Sequence, residues 1–294
     1  YVEVSKGFEI TPVRKVIELT DDLDLLSEKL FAVRIAGNGS EHCGEVIKAA
    51  ADNLAWSASA EDLKVIFIAG NEAFTQGPVN YKDACKTAIE KGIVVNTIHC
   101  GNGIPADWQD GAALADGMAM AIDQNKRVPH IAAPQDKEIM RLGVELNKTY
   151  IAYGKRGAEG AARQEAQNKN AAAAAPSTEI NRYVAQAQVQ YRNAAWDLVD
   201  ALEEGTVKLE DVPEEQLPDE MQKMDVAERK DFVESNAKQR AELQEKINAL
   251  NAERRKYVAA ERKKLAAGGE SLDTAMIATL RSQAVKKSFS FPSR

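Results

Sequence analysis

Two His-Cys pairs, His42-Cys43 and His99-Cys100, carry the residue types with the widest chemical range in this chain. With Glu41 beside the first pair, they are the donor types of a soft-ligand zinc site. Adjacent residues at a strand end point to opposite faces, so His99 and Cys100 would rarely ligate one ion together. Their spacing matches no compact zinc motif, and packed imidazoles and small buried thiols are the plainer reading. Cys43 stands near an expected helix N-terminus, where a thiolate is favoured and Cys-His nucleophilic catalysis could start. No Asn/Asp orienter or oxyanion loop completes that machinery. The third cysteine, Cys85, sits early in a crossover helix expected to pack beside the strand ending at Cys100, so a Cys85–Cys100 disulfide is geometrically conceivable. Three cysteines make no disulfide framework, and the odd count leaves at least one thiol outside an internal pair. There is no phosphate-loop or dinucleotide fingerprint. The residues read as those of a non-enzyme.

The elements that must position these residues are clearest between Leu63 and Gly101. An apolar run, Val65 to Ala69, breaks at Gly70-Asn71. A Gly/Pro loop and a helical pattern follow, then a β-branched run from Ile93 to Ile98. Two continuous apolar strands joined by a crossover helix imply parallel pairing with both faces buried. Such sheets bind at the carboxyl ends of their strands, here Gly70-Asn71-Glu72 and His99-Cys100-Gly101.

Around that core the pattern alternates. Strands are expected at Tyr1–Val4 and Pro12–Leu19, and a helix capped by Thr20 that turns Leu23, Leu25, Leu26, Leu30 and Phe31 inward. After the break Gly37-Asn38-Gly39-Ser40 comes a helix from Glu41 to about Trp56, then a further one near 80–91. Trp108–Ile122 reads as one helix weakened by glycines, Arg127–Ala133 as a short last strand, and Lys137–Tyr150 as a closing helix. The order is that of a doubly wound, mostly parallel α/β sheet over residues 1–153. Residues 154–176 form an Ala/Gln-rich connector. Residues 177–294 form an all-helical extension, with one helix over Ser177–Glu204, a long one over about 225–267 and a last one over Ser271–Lys287. Leu243, Ile247 and Leu250 share a seam of the long helix with Arg240 and Arg254, so it is not an autonomous coiled coil.

Charge narrows the function classes. Residues 1–150 hold 15 Lys and Arg against 22 Asp and Glu, which accounts for the whole net charge of -7. The remainder is neutral. No basic stripe is present to collect phosphates, which argues against nucleic-acid binding. No apolar run reaches the roughly 20 residues of a membrane span. The chain starts at Tyr1 without a signal-like segment and reads as part of a longer gene product.

LTDDLD (19–24), AGNGSEHCGEVIKAA (36–50), KVIFIAGNEAFTQGPV (64–79) and KGIVVNTIHCG (91–101), with WQDGA, HIAAPQD and LNKTYIAYG further on, resemble bacterial proteins built on the von Willebrand factor A domain. The resemblance covers about residues 1–155, and the C-terminal helices are similar to the extension such proteins carry. It implies a Rossmann-like sheet with a metal-ion-dependent adhesion site, in which hard oxygen ligands hold Mg²⁺. The first strand and its Asp-x-Ser-x-Ser triplet would lie upstream of Tyr1. The matching positions in this chain are Ser40 and Asn71, a degenerate pair that would hold Mg²⁺ only with upstream ligands. The strand slot between 1–4 and 63–69 must be filled from elsewhere, by upstream residues or by a partner.

The expected role is a non-enzymatic module that binds a protein partner through Asn38, Glu41, His42, Glu72 and His99 on its edge loops. The alternative is a structural or assembly subunit, homo-oligomer included, whose long helix makes the contacts. A metal- or thiol-dependent enzyme is the third reading. The resemblance, with a Cys85–Cys100 disulfide, would point to the periplasm or cell envelope.

Overall fold

The computed structural model describes residues 13–33, 40–122, 130–264 and 272–291. The strand expected at Tyr1–Val4, the loop residue Asn38 and the start of the strand expected at Arg127 lie outside these residues. In chain order the helices and strands are α1 (Leu23–Phe31), α2 (Cys43–Asn53), β1 (Lys64–Gly70), α3 (Tyr81–Glu90), β2 (Ile93–Cys100), α4 (Ala106–Ala113), β3 (Ala119–Ile122) and α5 (Asp136–Asn147). Then follow α6 (Gly157–Ala174), α7 (Pro176–Gln186), α8 (Leu198–Glu203), α9 (Asp219–Gln222), α10 (Val226–Lys264) and α11 (Leu272–Val285). Packing divides the chain into a sheet unit (Tyr1–Leu19, Arg34–Pro129, Gly268–Arg294) and a helical unit (Thr20–Val33, His130–Ala267).

In the sheet unit the apolar runs 65–69 and 93–98 are parallel strands, β1 beside β2 with Lys64 opposite Ile93 and Gly70 opposite His99. The crossover between them is α3, started by Asn80, whose side chain accepts from the Lys82 amide. The third strand, β3, also runs parallel, on the far side of β2. The chain is thus a mixed α/β protein with a small three-stranded parallel sheet among its described residues. Ile47, Phe74, Cys85, Ile93, Val95 and Trp108 close the core of this unit and are fully buried or nearly so.

Trp108–Ile122 is not one helix. Helix α4 ends at Ala113, and the chain turns through Asp116 in the left-handed region (φ 53°) to enter β3. Gly117 permits this return, because a Cβ there would overlap the Val95 carbonyl oxygen. Backbone groups that a continuous helix would have used internally pair instead with β2: Met118 O accepts from Thr97 N–H at 3.0 Å. Correspondingly, 130–133 is not a strand, and 13–19 holds no strand beyond a single bridging residue at Arg14.

The helical unit has two apolar clusters. One joins α5, α7 and α10 through Ile139, Leu142, Leu146, Ile180, Tyr183, Leu243 and Ile247. The other gathers Ile151, Leu198, Val199, Leu217, Met221 and Val233. The polar members of the long-helix seam are accommodated by buried acids: Arg254 Nε donates to Asp136 at 2.6 Å, and Arg240 reaches Asp197 and Asp200. Arg240 also lies 4.1 Å over the Tyr150 ring.

Three expectations change here. Helix α1 is capped by Asp22 rather than Thr20, with Leu25 N–H donating to its carboxylate at 2.8 Å. Its buried residue is Asp24, which meets Arg182 and accepts from Tyr191 Oη at 2.7 Å, while Leu30 and Phe31 are exposed. A carboxylate with two such partners is stable inside a helical unit where a leucine face would have sought a sheet. The Ala/Gln-rich segment, expected to be a helix-prone connector with little to bury, is helix α6 and buries Gln164, Gln167 and Ala171. Ser177–Glu204 is broken after Gln186, because Asp197 caps a separate helix by accepting from the Asp200 amide at 3.0 Å.

Candidate functional site: the carboxyl edge of the sheet

The register Gly70↔His99↔Ala121 aligns three strand ends at one edge. After β1 and β2 the chain leaves this edge in loops, where parallel sheets place their sites. Glu41, just before α2, ties these loops together. Its carboxylate Oε2 accepts from the backbone amides of Asn71 at 3.0 Å and Glu72 at 3.4 Å, and its own amide donates to Gln76 Oε1 at 2.9 Å. Gly70 makes the approach possible, since a Cβ would overlap that carboxylate oxygen and press on the Trp108 ring.

Trp108 is the wall under this edge. It is fully buried, its indole N–H donates to Glu72 O at 2.9 Å, and it packs edge-on against Phe74 (4.8 Å) and His99 (5.5 Å). Tyr81 extends the row beyond Phe74 at 5.3 Å. Asp107 starts α4 and fixes the next loop, with Phe74 N–H donating to Oδ2 at 2.7 Å and Trp108 N–H to Oδ1 at 3.1 Å. His99 Nδ1 stands 2.8 Å from Gly103 O, so Nδ1 carries the proton and Nε2 is left as an acceptor. Segments 40–47, 70–80 and 99–113 contribute Glu41, Glu45, Glu72, Asp107 and Asp110 and contain neither Lys nor Arg. Lys82, at the start of α3, pairs with Asp110 at 3.2 Å, and the other carboxylates leave these segments net negative.

Of the residues singled out from sequence, Ser40, Asn71 and Glu72 are exposed at this edge, and Glu41 and His99 are half-buried there. His42 is not on the surface. It is 3 % exposed, lies against Gly77, and has Nδ1 3.1 Å from Glu45 Oε2. The loop 70–80 covers it, so it is a packing residue and not a contact residue. Cys85 and Cys100 are separate thiols rather than a disulfide. Cys85 Sγ donates to the Gly111 carbonyl at 3.3 Å from inside the core, and burial pushes its pKa up to about 11. Burial, and then the Glu41 carboxylate, push the Cys100 thiol up as well. Neither is poised as a nucleophile.

The donor set does not suit Mg²⁺. Ser40 and Asn71 offer neutral oxygens, the adjacent Glu41 Oε2 is occupied by two amides, and no group of three or more His, Cys, Asp or Glu side chains converges among the described residues. A hard dication needs more carboxylate oxygens than that.

Trp108, Phe74, Tyr81 and Asp107 were not singled out from the sequence. Their signal was the aromatic placement: Phe74 inside a Gly/Pro loop and Trp108 three residues after Pro105. Among the described residues no helix is long and apolar enough to cross a membrane. No family model, curated protein or solved structure matches the chain.

Proposed function

We propose that the sheet unit is a Rossmann-like protein-binding module of the von Willebrand A type, which engages its partner through the carboxyl-edge loops without needing a metal ion. The observation that carries this reading is the Glu41 clamp. It holds the 70–80 loop to the α2 entry while leaving Asn71, Glu72 and Ser40 outside, which is a rigid platform with exposed polar contacts. Lacking Lys and Arg, the platform suits a partner surface rich in basic side chains.

The test replaces Asn71 and Glu72 together by Lys. Partner retention by the full chain should fall at least tenfold, with the far-ultraviolet spectrum unchanged. Retention equal to the wild type would remove the edge from the interface. The competing reading, assembly through α10, lacks support in the exposed stretch after Arg254. That stretch presents Arg255, Lys256 and Lys263 around a lone exposed aromatic, Tyr257, rather than an apolar stripe.

A further inference from the structure

The helical unit contains a cleft of about 450 Å³ formed where the chain leaves α8 and loops toward α9. Its apolar wall consists of the Tyr153 ring, Val207 and Val212, half-buried residues backed by the cluster of Leu198, Leu217 and Met221, with Pro213 at the mouth. The wall is held in place. Tyr153 Oη donates to Ala194 O and its amide to Trp196 O, both at 2.9 Å, while Gly154 N–H donates to Gln216 O at 2.8 Å. Lys208 and Asp211 flank this wall, three residues apart around a 3₁₀ turn, which places both on one side of the loop. Their side chains have no partner among the described residues, not even each other. A volume in the range of small-molecule sites, an apolar wall, and one free ammonium with one free carboxylate form a consistent set.

We propose that this cleft binds a free α-amino acid with an apolar side chain. Lys208 takes the carboxylate, Asp211 takes the ammonium, and the side chain lies on Tyr153, Val207 and Val212. A zwitterion satisfies both charges at once. A simple anion would leave Asp211 facing it unpaired, and a simple cation would leave Lys208 so. The site is independent of the carboxyl edge of the sheet.

The experiment is ligand-observed saturation-transfer NMR with titration on the full chain, using leucine, leucinamide and 4-methylpentanoate. Leucine should bind, and each analogue should bind about tenfold more weakly because one charge-assisted contact is missing. Lys208→Ala should erase the preference for leucine over leucinamide, and Asp211→Asn the preference over 4-methylpentanoate. Both positions are exposed, so neither variant should shift the unfolding midpoint without ligand. The Asn71→Lys/Glu72→Lys variant should bind leucine normally. Absence of leucine binding, equal binding by both analogues, or leucine affinity unchanged in both cleft variants would overturn the assignment.

Discussion

Asn96 of β2 and Gln283 of α11, separated by 187 positions, form a buried amide pair. Gln283 Nε2 donates to Asn96 Oδ1 at 2.7 Å, and Asn96 Nδ2 donates to Gln283 Oε1 at 3.2 Å. The same Asn96 oxygen accepts from the Met118 amide at 2.8 Å, so one side chain links β2 to the start of β3 and to the C-terminal helix. Replacing Gln283 by Leu leaves Asn96 Nδ2 unsatisfied in the core. The expected loss is about 1–3 kcal/mol in denaturant unfolding. Asn96→Leu should cost as much or more, because it also abandons Met118 N. A cost below 0.5 kcal/mol in either variant, which is the scale of an ordinary surface change, would mean that α11 does not seal the sheet through this pair.

Gly70→Ala probes the Glu41 clamp. The added methyl must displace the carboxylate or the Trp108 ring, an overpacking cost of about 1–3 kcal/mol. Amide exchange at Asn71 and Glu72 should speed up in Gly70→Ala and also in Glu41→Ala, which loses the acceptor without adding bulk. Unchanged protection of both amides in Glu41→Ala would show that the loop is held by other contacts.

Tyr81 is pushed up to about 12, first by burial and then by donating to Asp110 at 2.6 Å. An unfolded tyrosine titrates near 10. Between about pH 10 and 12 the unfolded chain has therefore released a proton that the folded chain keeps, and stability must fall as pH rises through that window. Tyr81→Phe should lack this component of the alkaline loss. Phenolate absorbance should show a tyrosine that ionises only near the top of the window. Cys85 should likewise resist alkylation near neutral pH until the protein unfolds, since burial keeps its thiol protonated.

Arg240 forms a forked pair with Asp197, at 2.7 and 3.1 Å, adds Asp200 at 3.0 Å, and donates to the Thr149 carbonyl at 2.7 Å. Arg240→Met removes the cation, leaving buried Asp197 without a charge partner and Asp200 with only the longer Arg192 contact at 3.3 Å. The expected destabilisation is about 3–5 kcal/mol. Burial, and then Asp197, already hold Asp200 above the usual carboxylate range. Protonation of Asp200, easier still without Arg240, should therefore make the Arg240→Met deficit shrink as pH falls. A deficit constant from pH 7 to pH 4 would show that the two carboxylates are not what destabilises the variant.

How much was legible depends on the range of the interaction. Val65–Ala69 and Ile93–Ile98 are continuous apolar runs with turn residues between, and such a pattern leaves few options besides parallel strands and a crossover helix. The short helices were expected within a few residues of their true ends: 80–91 against Tyr81–Glu90 for α3, and Lys137–Tyr150 against Asp136–Asn147 for α5. Site positions at strand ends followed from the same reasoning. That is why Asn71, Glu72 and His99 could be placed at one edge in advance.

Where local preference and tertiary partners disagree, sequence alone misled. Trp108–Ile122 has helical composition throughout, yet β3 forms because the edge of β2 offers backbone partners that a solvated helix end does not. Helix α1 carries a leucine stripe, but Asp24 decides its location, because a buried carboxylate is tolerable only beside Arg182 and Tyr191, some 160 residues away in the chain. His42 has a ligand's chemistry and a packing residue's position. Local order, turn chemistry and the strand edge were thus determined by the residues themselves. The third strand, the placement of α1 and the burial of individual polar groups were decided by the tertiary structure, since burial changes the free energy of a charge or an amide far more than any local propensity can.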